Sequence, residues 1–322
     1  IRRIFPEQPW LALSAAAFIA FLPQRLSIMA GVSNDSLAEL IAALILLVVI
    51  DYLRRTPSEN QQWWQERALW LGILVGIAFL TKTTVYYVSA IAGLAILLRW
   101  WREKWSFQSA IKPIALFAVP ALLMGAIWWV HGLQVYGGTD FLGLQRHDDV
   151  VIGQPRTEDY INLELGGSQR LYWENLSETT FHSFWGQFGW MALPMQTNIY
   201  RVLLLFVIAI LLGLILYVLQ KRWPRSLLRP QKEILILFVL SIVLVFAQFL
   251  IYNRTFVQFQ GRYLYPALLP IALLVALGLS GWSNLLTRWQ NQAQWLPVPA
   301  TLLMIFFAWY AIHNVISVLP TW

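Results

Sequence analysis

"RALWLGILVGIAFLTKTTVYYVSAIAGLAILLR", from Arg67 to Arg99, decides how this chain folds. Its terminal arginines are 32 positions apart, which as one helix is about 48 Å, against a bilayer core of about 30 Å. The stretch is too long for one span and too short for two complete ones. It therefore reads as two shortened helices meeting at "LTKTT", with Lys82 at the junction. Counted from Arg67, Lys82 sits about 22 Å up, below the far surface. One reading of that lysine is snorkelling, in which the four-carbon stem carries the ammonium to the headgroups. The other is a cation lining a cavity and facing an anionic ligand.

The same pattern recurs along the chain. Of its 322 residues 58% are hydrophobic and 12% charged, with apolar windows of about 20 residues throughout, so the expected class is all-α, a polytopic integral membrane protein. Nine spans are expected, near 10–31, 36–53, 65–81, 83–99, 112–131, 199–220, 233–252, 263–282 and 296–317. We read residues 1–322 as a single membrane domain, with 131–198 as its one long polar insertion. Cysteine is absent, which excludes disulfides, thiolate metal sites and cysteine nucleophiles. The chain opens at Ile1 and Arg2-Arg3 rather than at methionine, so residues upstream are expected.

Orientation follows from Lys and Arg. Fifteen of the 23, including Arg54, Arg67, Arg99, Arg102, Lys112, Lys221, Arg229 and Lys232, fall on one side of the spans, which the positive-inside rule makes cytoplasmic. The insertion and the polar turn "GVSNDSLAEL" (Gly31–Leu40) then face outward, with ten of the sixteen carboxylates. The positive charge reports orientation and contact with anionic lipid, and is no argument for nucleic acid.

Four outward features carry possible chemistry. Ser36 with Glu39 reads as a capping box, which leaves Asp35 outside the helix and available for a sugar or a metal; a structural pairing with Arg25 is the alternative. Arg262, at the start of the apolar helix in "QGRYLYPALLPIALLVALGL", stands where the helix dipole favours an anion, so guanidinium and first-turn N–H groups suit a phosphate. Arg254 lies on the same side, and a plain interfacial role for these arginines stays open. In "FHSFWGQFGW" (Phe181–Trp190) the glycines suggest a re-entrant loop presenting Trp185, Gln187 and Trp190, with Tyr263 nearby; an interfacial aromatic belt is the alternative. "QRHDDV" offers His147, Asp148 and Asp149 to a divalent ion, although an exposed polar loop accounts for it more simply.

The succession "GVSNDSLAEL", "GIAFLTKTT", "FWGQFGW" and "QGRYLYPALLPIALLVALGL" resembles the GT-C superfamily of membrane glycosyltransferases, specifically bacterial polyprenyl-phosphate-sugar transferases and protein mannosyltransferase-like proteins. The resemblance covers nearly the whole chain. It implies a bacterial inner-membrane enzyme of the cell envelope that moves a sugar from a polyprenyl phosphate carrier to an acceptor on the extracytoplasmic side. Asp35 would serve in sugar or metal binding, and Lys82, Arg262 and Arg254 would hold the phosphate around one cavity. A divalent metal ion is the one cofactor suggested, with Asp35 its candidate ligand; membrane lipids are the other expected partners. One departure stands out: nothing here matches the acidic first extracytoplasmic loop that carries the family's principal catalytic acid, as if two N-terminal helices were absent. An anionic-lipid transporter or flippase and a non-catalytic subunit of a larger assembly are the competing classes, although the internal repeat typical of transporters is not seen.

Overall fold

The computed structural model describes residues 1–54, 62, 65–189, 191–220, 227–283 and 297–317. Its elements are α1 (Pro9–Ala20), α2 (Pro23–Ala30), α3 (Asp35–Arg54), α4 (Arg67–Thr81), α5 (Tyr87–Glu103), α6 (Phe107–Tyr136), α7 (Leu144–Val150), α8 (Thr157–Asp159), α9 (Gln169–Trp185), β1 (Gln187–Phe188), β2 (Leu193–Pro194), α10 (Thr197–Gln220), α11 (Arg229–Asn253), α12 (Leu268–Ser283) and α13 (Pro297–Ile316). Among the described residues seven helices are long and apolar enough to cross a membrane. The pair α1–α2 would add an eighth, and α4, with 15 residues, is a shorter apolar helix. The chain is thus a helical polytopic membrane protein, and each expected span falls on apolar helix.

Two expectations need correction. The first span is not one helix: α1 and α2 are bent by 60° at Phe21–Leu22. Pro23 is the reason, since a residue before proline avoids the helical region, and Leu22 is extended at φ −70° and ψ 113°. The fifth span is longer than 112–131: α6 continues from Phe107 to Tyr136 through Pro113 and Pro120.

The chain forms two compact units, one of residues 1–33, 160–228 and 259–322, the other of residues 34–159 and 229–258. In the first, α12 packs on α1 and α10. The α10–α12 approach is backbone to backbone: a Cβ on Gly281 would lie 1.8 Å from the Gly213 carbonyl oxygen, and one on Gly278 2.5 Å from that of Ile210. Small residues allow such contact, and in lipid close packing is a main source of helix association. The indole N–H of Trp282 adds a 2.8 Å bond to the Ala209 carbonyl.

In the second unit α4 lies along α6 by the same device, with Gly72 and Gly76 one turn apart. A Cβ on Gly72 would meet the Phe117 carbonyl oxygen at 2.3 Å, and one on Gly76 the Met124 sulfur at 2.7 Å. The break at "LTKTT" is present: α4 stops at Thr81, Lys82 is extended at φ −163°, and a 3₁₀ turn over Thr83–Val85 leads into α5.

The two ends of this unit can be told apart by its contacts. At one end the Arg102 guanidinium pairs with Glu233 near the start of α11 and donates to the Leu53 carbonyl at 2.9 Å, while Arg99 donates to the Tyr52 carbonyl at 2.7 Å. Those carbonyls belong to the last turn of α3, where positive charge is favoured. At the other end Gln248, near the close of α11, donates to the Thr83 carbonyl at 3.4 Å. Fifteen residues of helix, about 22 Å, separate the two contacts, so Lys82 and Arg229 lie at opposite ends.

Candidate functional site

Asp35 and Lys82 come together in the second unit. Their side chains form an ion pair and keep 29% and 24% of their exposure. The helix α3 begins at Asp35, one residue before the expected Ser36 cap, so the carboxylate lies in the first helical turn and not outside it. That position suits a negative charge, and Lys82, at the C-terminal end of α4, is placed as the dipole favours for a cation. Beside them the Asn34 amide donates to the Thr81 carbonyl at 3.3 Å, a second bond between the same helix ends. A half-buried charged pair at a chain break is therefore built from residues 47 positions apart. Arg254 belongs to this unit too, just beyond α11, with an exposed side chain.

Arg262 and Tyr263 lie in the first unit, in a 3₁₀ stretch over Gly261–Ala267 that precedes α12. The expectation of an α-helix starting directly after Gly261 is corrected, since α12 begins at Leu268. The stretch is seated on α9. Gly261 donates its N–H to Ser183 Oγ at 2.7 Å, the Tyr265 hydroxyl donates to the Phe184 carbonyl at 2.7 Å, and the Thr180 hydroxyl donates to the Phe259 carbonyl at 2.9 Å. A Cβ at Gly261 would be 2.3 Å from the Thr180 carbonyl oxygen, so only glycine permits this approach. The N–H of Gly261 is thereby used, and that of Tyr263 is bonded to the Gln260 carbonyl at 3.2 Å. A phosphate here would be met by the guanidinium rather than by those two donors. Arg262 is half-buried, lies 5.5 Å from the centroid of the Tyr263 ring, and has no carboxylate partner among the described residues.

The segment expected to be a re-entrant loop is helix followed by hairpin. Residues 181–185 end α9, and β1 pairs antiparallel with β2, Gln187 opposite Pro194. Gly189 turns the hairpin at φ 56°, a left-handed value that explains one of the two glycines without a ligand. Trp185 is buried, 3% exposed, among Phe18, Phe181, Phe184 and Phe206. It packs as core. Gln187 donates twice: its backbone N–H to Gln24 Oε1 at 2.8 Å and its side-chain amide to the Met191 carbonyl at 2.9 Å, while its Oε1 is buried without a partner among the described residues. Trp190 falls outside the described residues. Close by, His182 stacks on Tyr200 at 3.6 Å, and burial pushes its imidazole down in pKa against an opposing pull from Glu178.

"QRHDDV" forms α7. Asp148 pairs with Arg156 at 2.8 Å, and His147 packs edge-on against Tyr252 and Phe256. Among the described residues no group of three or more His, Asp or Glu side chains is placed to hold a metal ion.

Sequence reasoning missed the polar partners that fix these positions: Asn34, Ser183, Gln248 and Glu233. Glu233 had a signal, as a lone carboxylate at the edge of an apolar run beside Arg229 and Lys232. The others are uncharged and ordinary in composition.

The chain belongs to the family of predicted membrane proteins DUF2142, whose model matches residues 2–275. No curated protein and no solved structure matches it.

Proposed function

We propose that this protein is a lipid-linked glycosyltransferase of GT-C type that takes a sugar from a polyprenyl phosphate carrier and transfers it on the extracytoplasmic side of a bacterial inner membrane. One observation carries the reading. Arg262 is a half-buried guanidinium beside the Tyr263 ring with no carboxylate partner among the described residues, whereas Lys82, Arg99 and Arg102 each have one. Its planar fork suits two phosphate oxygens, which a lysine could not match.

The chemistry assigned to the chain is a displacement at the anomeric carbon. The acceptor hydroxyl oxygen forms the new C–O bond, the bond from anomeric carbon to phosphate oxygen breaks, and the phosphate leaves with that electron pair. The hydroxyl proton goes to a carboxylate. Arg262 stabilises the charge that grows on the departing phosphate.

The Asp35–Lys82 pair favours a second reading, a non-catalytic membrane subunit, because the pair accounts for both residues as a clasp between helix ends. Binding separates the two. In nanodiscs, polyprenyl phosphate affinity is measured for wild type, Arg262→Lys, Arg262→Ala and Lys82→Ala. A charge-assisted contact is worth about 1.5–3 kcal/mol, so Arg262→Ala should weaken binding by about ten-fold or more, with Arg262→Lys recovering part. Equal affinity across the four would remove the lipid-linked donor and leave the subunit reading.

A further inference from the structure

We infer that residues 141–152, which hold α7, form an interfacial seat that rests in the headgroup–acyl boundary of the leaflet at the Lys82 end of the second unit. The inference is independent of the glycosyltransferase reading.

Two helices measure the height of this segment. After α6 the chain doubles back through Gly137 and Gly138, both left-handed, and the Phe141 carbonyl lies so close to Gly132 that a Cβ there would be 2.3 Å away. From Lys112, which pairs with Glu66 at 2.9 Å, to Gly132 is 20 residues of helix, about 30 Å. On α11 the Tyr252 ring carries His147, and from Glu233 to Tyr252 is 19 residues, about 29 Å. Both lengths equal the thickness of a hydrocarbon core measured from the charged end, so both place α7 at its opposite boundary.

The segment has the matching two-sidedness. Leu144, His147 and Val150 recur at three-residue spacing on one side of α7, and Gln145 and Asp149 occupy the other. His147 is seated on Tyr252 and Phe256, which directs its side of the helix toward the bundle. Leu144 and Val150 flank it with 63% and 46% exposure, and Ile152 just beyond is 96% exposed. Large apolar side chains this open, held at the height of the core boundary, are covered by lipid in a membrane.

The seat is held firmly. Asp140 accepts the backbone N–H groups of Leu144 and Arg146 at 2.7 and 2.8 Å, starting the helix. Thr157 N–H donates to the Thr255 carbonyl at 3.0 Å and Val257 N–H to that of Pro155 at 2.9 Å, tying the far side to the end of α11. Charge does not choose the lipid, because Asp148 is taken by Arg156 and Arg146 is balanced by Asp149. Zwitterionic headgroups are therefore sufficient.

The absence of cysteine makes the test direct. Single cysteines at Leu144, Val150, Ile152, Gln145 and Asp149 in the full chain are labelled with an environment-sensitive fluorophore and reconstituted in phosphatidylcholine vesicles. Quenching by a nitroxide on a shallow acyl carbon is compared with quenching by a water-soluble agent. Labels at 144, 150 and 152 should favour the lipid-borne quencher several-fold over labels at 145 and 149, with little change when phosphatidylglycerol is added. Monodisperse elution of each labelled protein certifies its fold. Water-side quenching at all five positions would overturn the seat; if protection of 144, 150 and 152 then appeared only in native membranes, the surface would belong to a protein partner.

Discussion

Neutralising Asp35 and Lys82 singly and together measures what their pairing is worth. Two unit charges about 4 Å apart attract by about 4 kcal/mol at an effective dielectric of about 20. Side chains that keep 29% and 24% of their exposure retain water around them, which screens the attraction and offsets much of it. A coupling of about 1–2 kcal/mol is expected, above the range of fully exposed pairs. Asp35→Asn, Lys82→Met and the double variant form the cycle, read as unfolding free energy in nanodiscs. The reversed pair, Asp35→Lys with Lys82→Asp, adds a sharper point. It restores opposite charges but sets a cation at the start of α3 and an anion at the end of α4, each disfavoured by about 0.3–1 kcal/mol. Its stability should therefore fall between the single variants and wild type. Should the coupling come out within about 0.3 kcal/mol of zero, the argument that this pair clasps the helix ends is refuted.

Three further outcomes are expected. Gly281→Ala should destabilise by about 2 kcal/mol or more because its Cβ would sit 1.8 Å from the Gly213 carbonyl oxygen, whereas Gly93→Ala, whose Cβ would meet the Phe117 ring at 4.0 Å, should be neutral or slightly stabilising; thermal unfolding in detergent compares them. Glu233→Ala should cost about 1.5–3 kcal/mol by removing one charged partner of the nearly buried Arg102, which keeps Glu103 and the Leu53 carbonyl, and Glu233→Ala with Arg102→Leu should recover part of the loss in the same assay. The backbone N–H groups of Arg146, Gln145, Leu144 and Gly143 hold the Asp140 carboxyl below the usual range. Its contribution is therefore complete above the unfolded carboxyl pKa of about 3.9 and is lost as pH falls through the lower folded value. Amide shifts of Leu144 and Arg146 should show that acid step in wild type and not in Asp140→Asn.

How far the sequence carried depends on whether a feature was local. The spans were legible because hydropathy acts residue by residue along about 20 positions, and the break at Lys82 followed from length alone. The opposite placement of Lys82 and Arg229 followed from parity. The bend at Phe21–Leu22 was also local, written in Pro23, but an apolar window averages over it. What the sequence hid was tertiary. Nothing near Asp35 announces a partner 47 positions away, and nothing in "FWGQFGW" distinguishes a cavity loop from a hairpin whose glycine turns the chain. Trp185 shows the same ambiguity: an aromatic cluster looks alike whether it faces a ligand or, as here, Phe18 and Phe206.

The cations themselves separate structure from candidate function. Arg99 and Arg102 lie nearly buried, yet Glu103, Glu233 and the carbonyls of Tyr52 and Leu53 receive them, and Arg229 also reaches Glu233 at 3.3 Å. Such a network fixes the ends of α3 and α5 against the start of α11, and its charges need no ligand to explain them. Lys82 has Asp35 for the same purpose. Arg262 is half-buried too, its stretch of backbone is locked to α9 through Gly261 and Tyr265, and among the described residues the Tyr263 ring and no carboxylate attends its charge, a lack it shares with Arg67, whose Nε is buried without a partner. A cation over a ring gains about 0.5–2 kcal/mol, less than a desolvated charge needs. A rigidly mounted guanidinium with spare donors is the arrangement an anion completes, so the affinity of the Arg262 variants is the measurement on which the functional assignment turns.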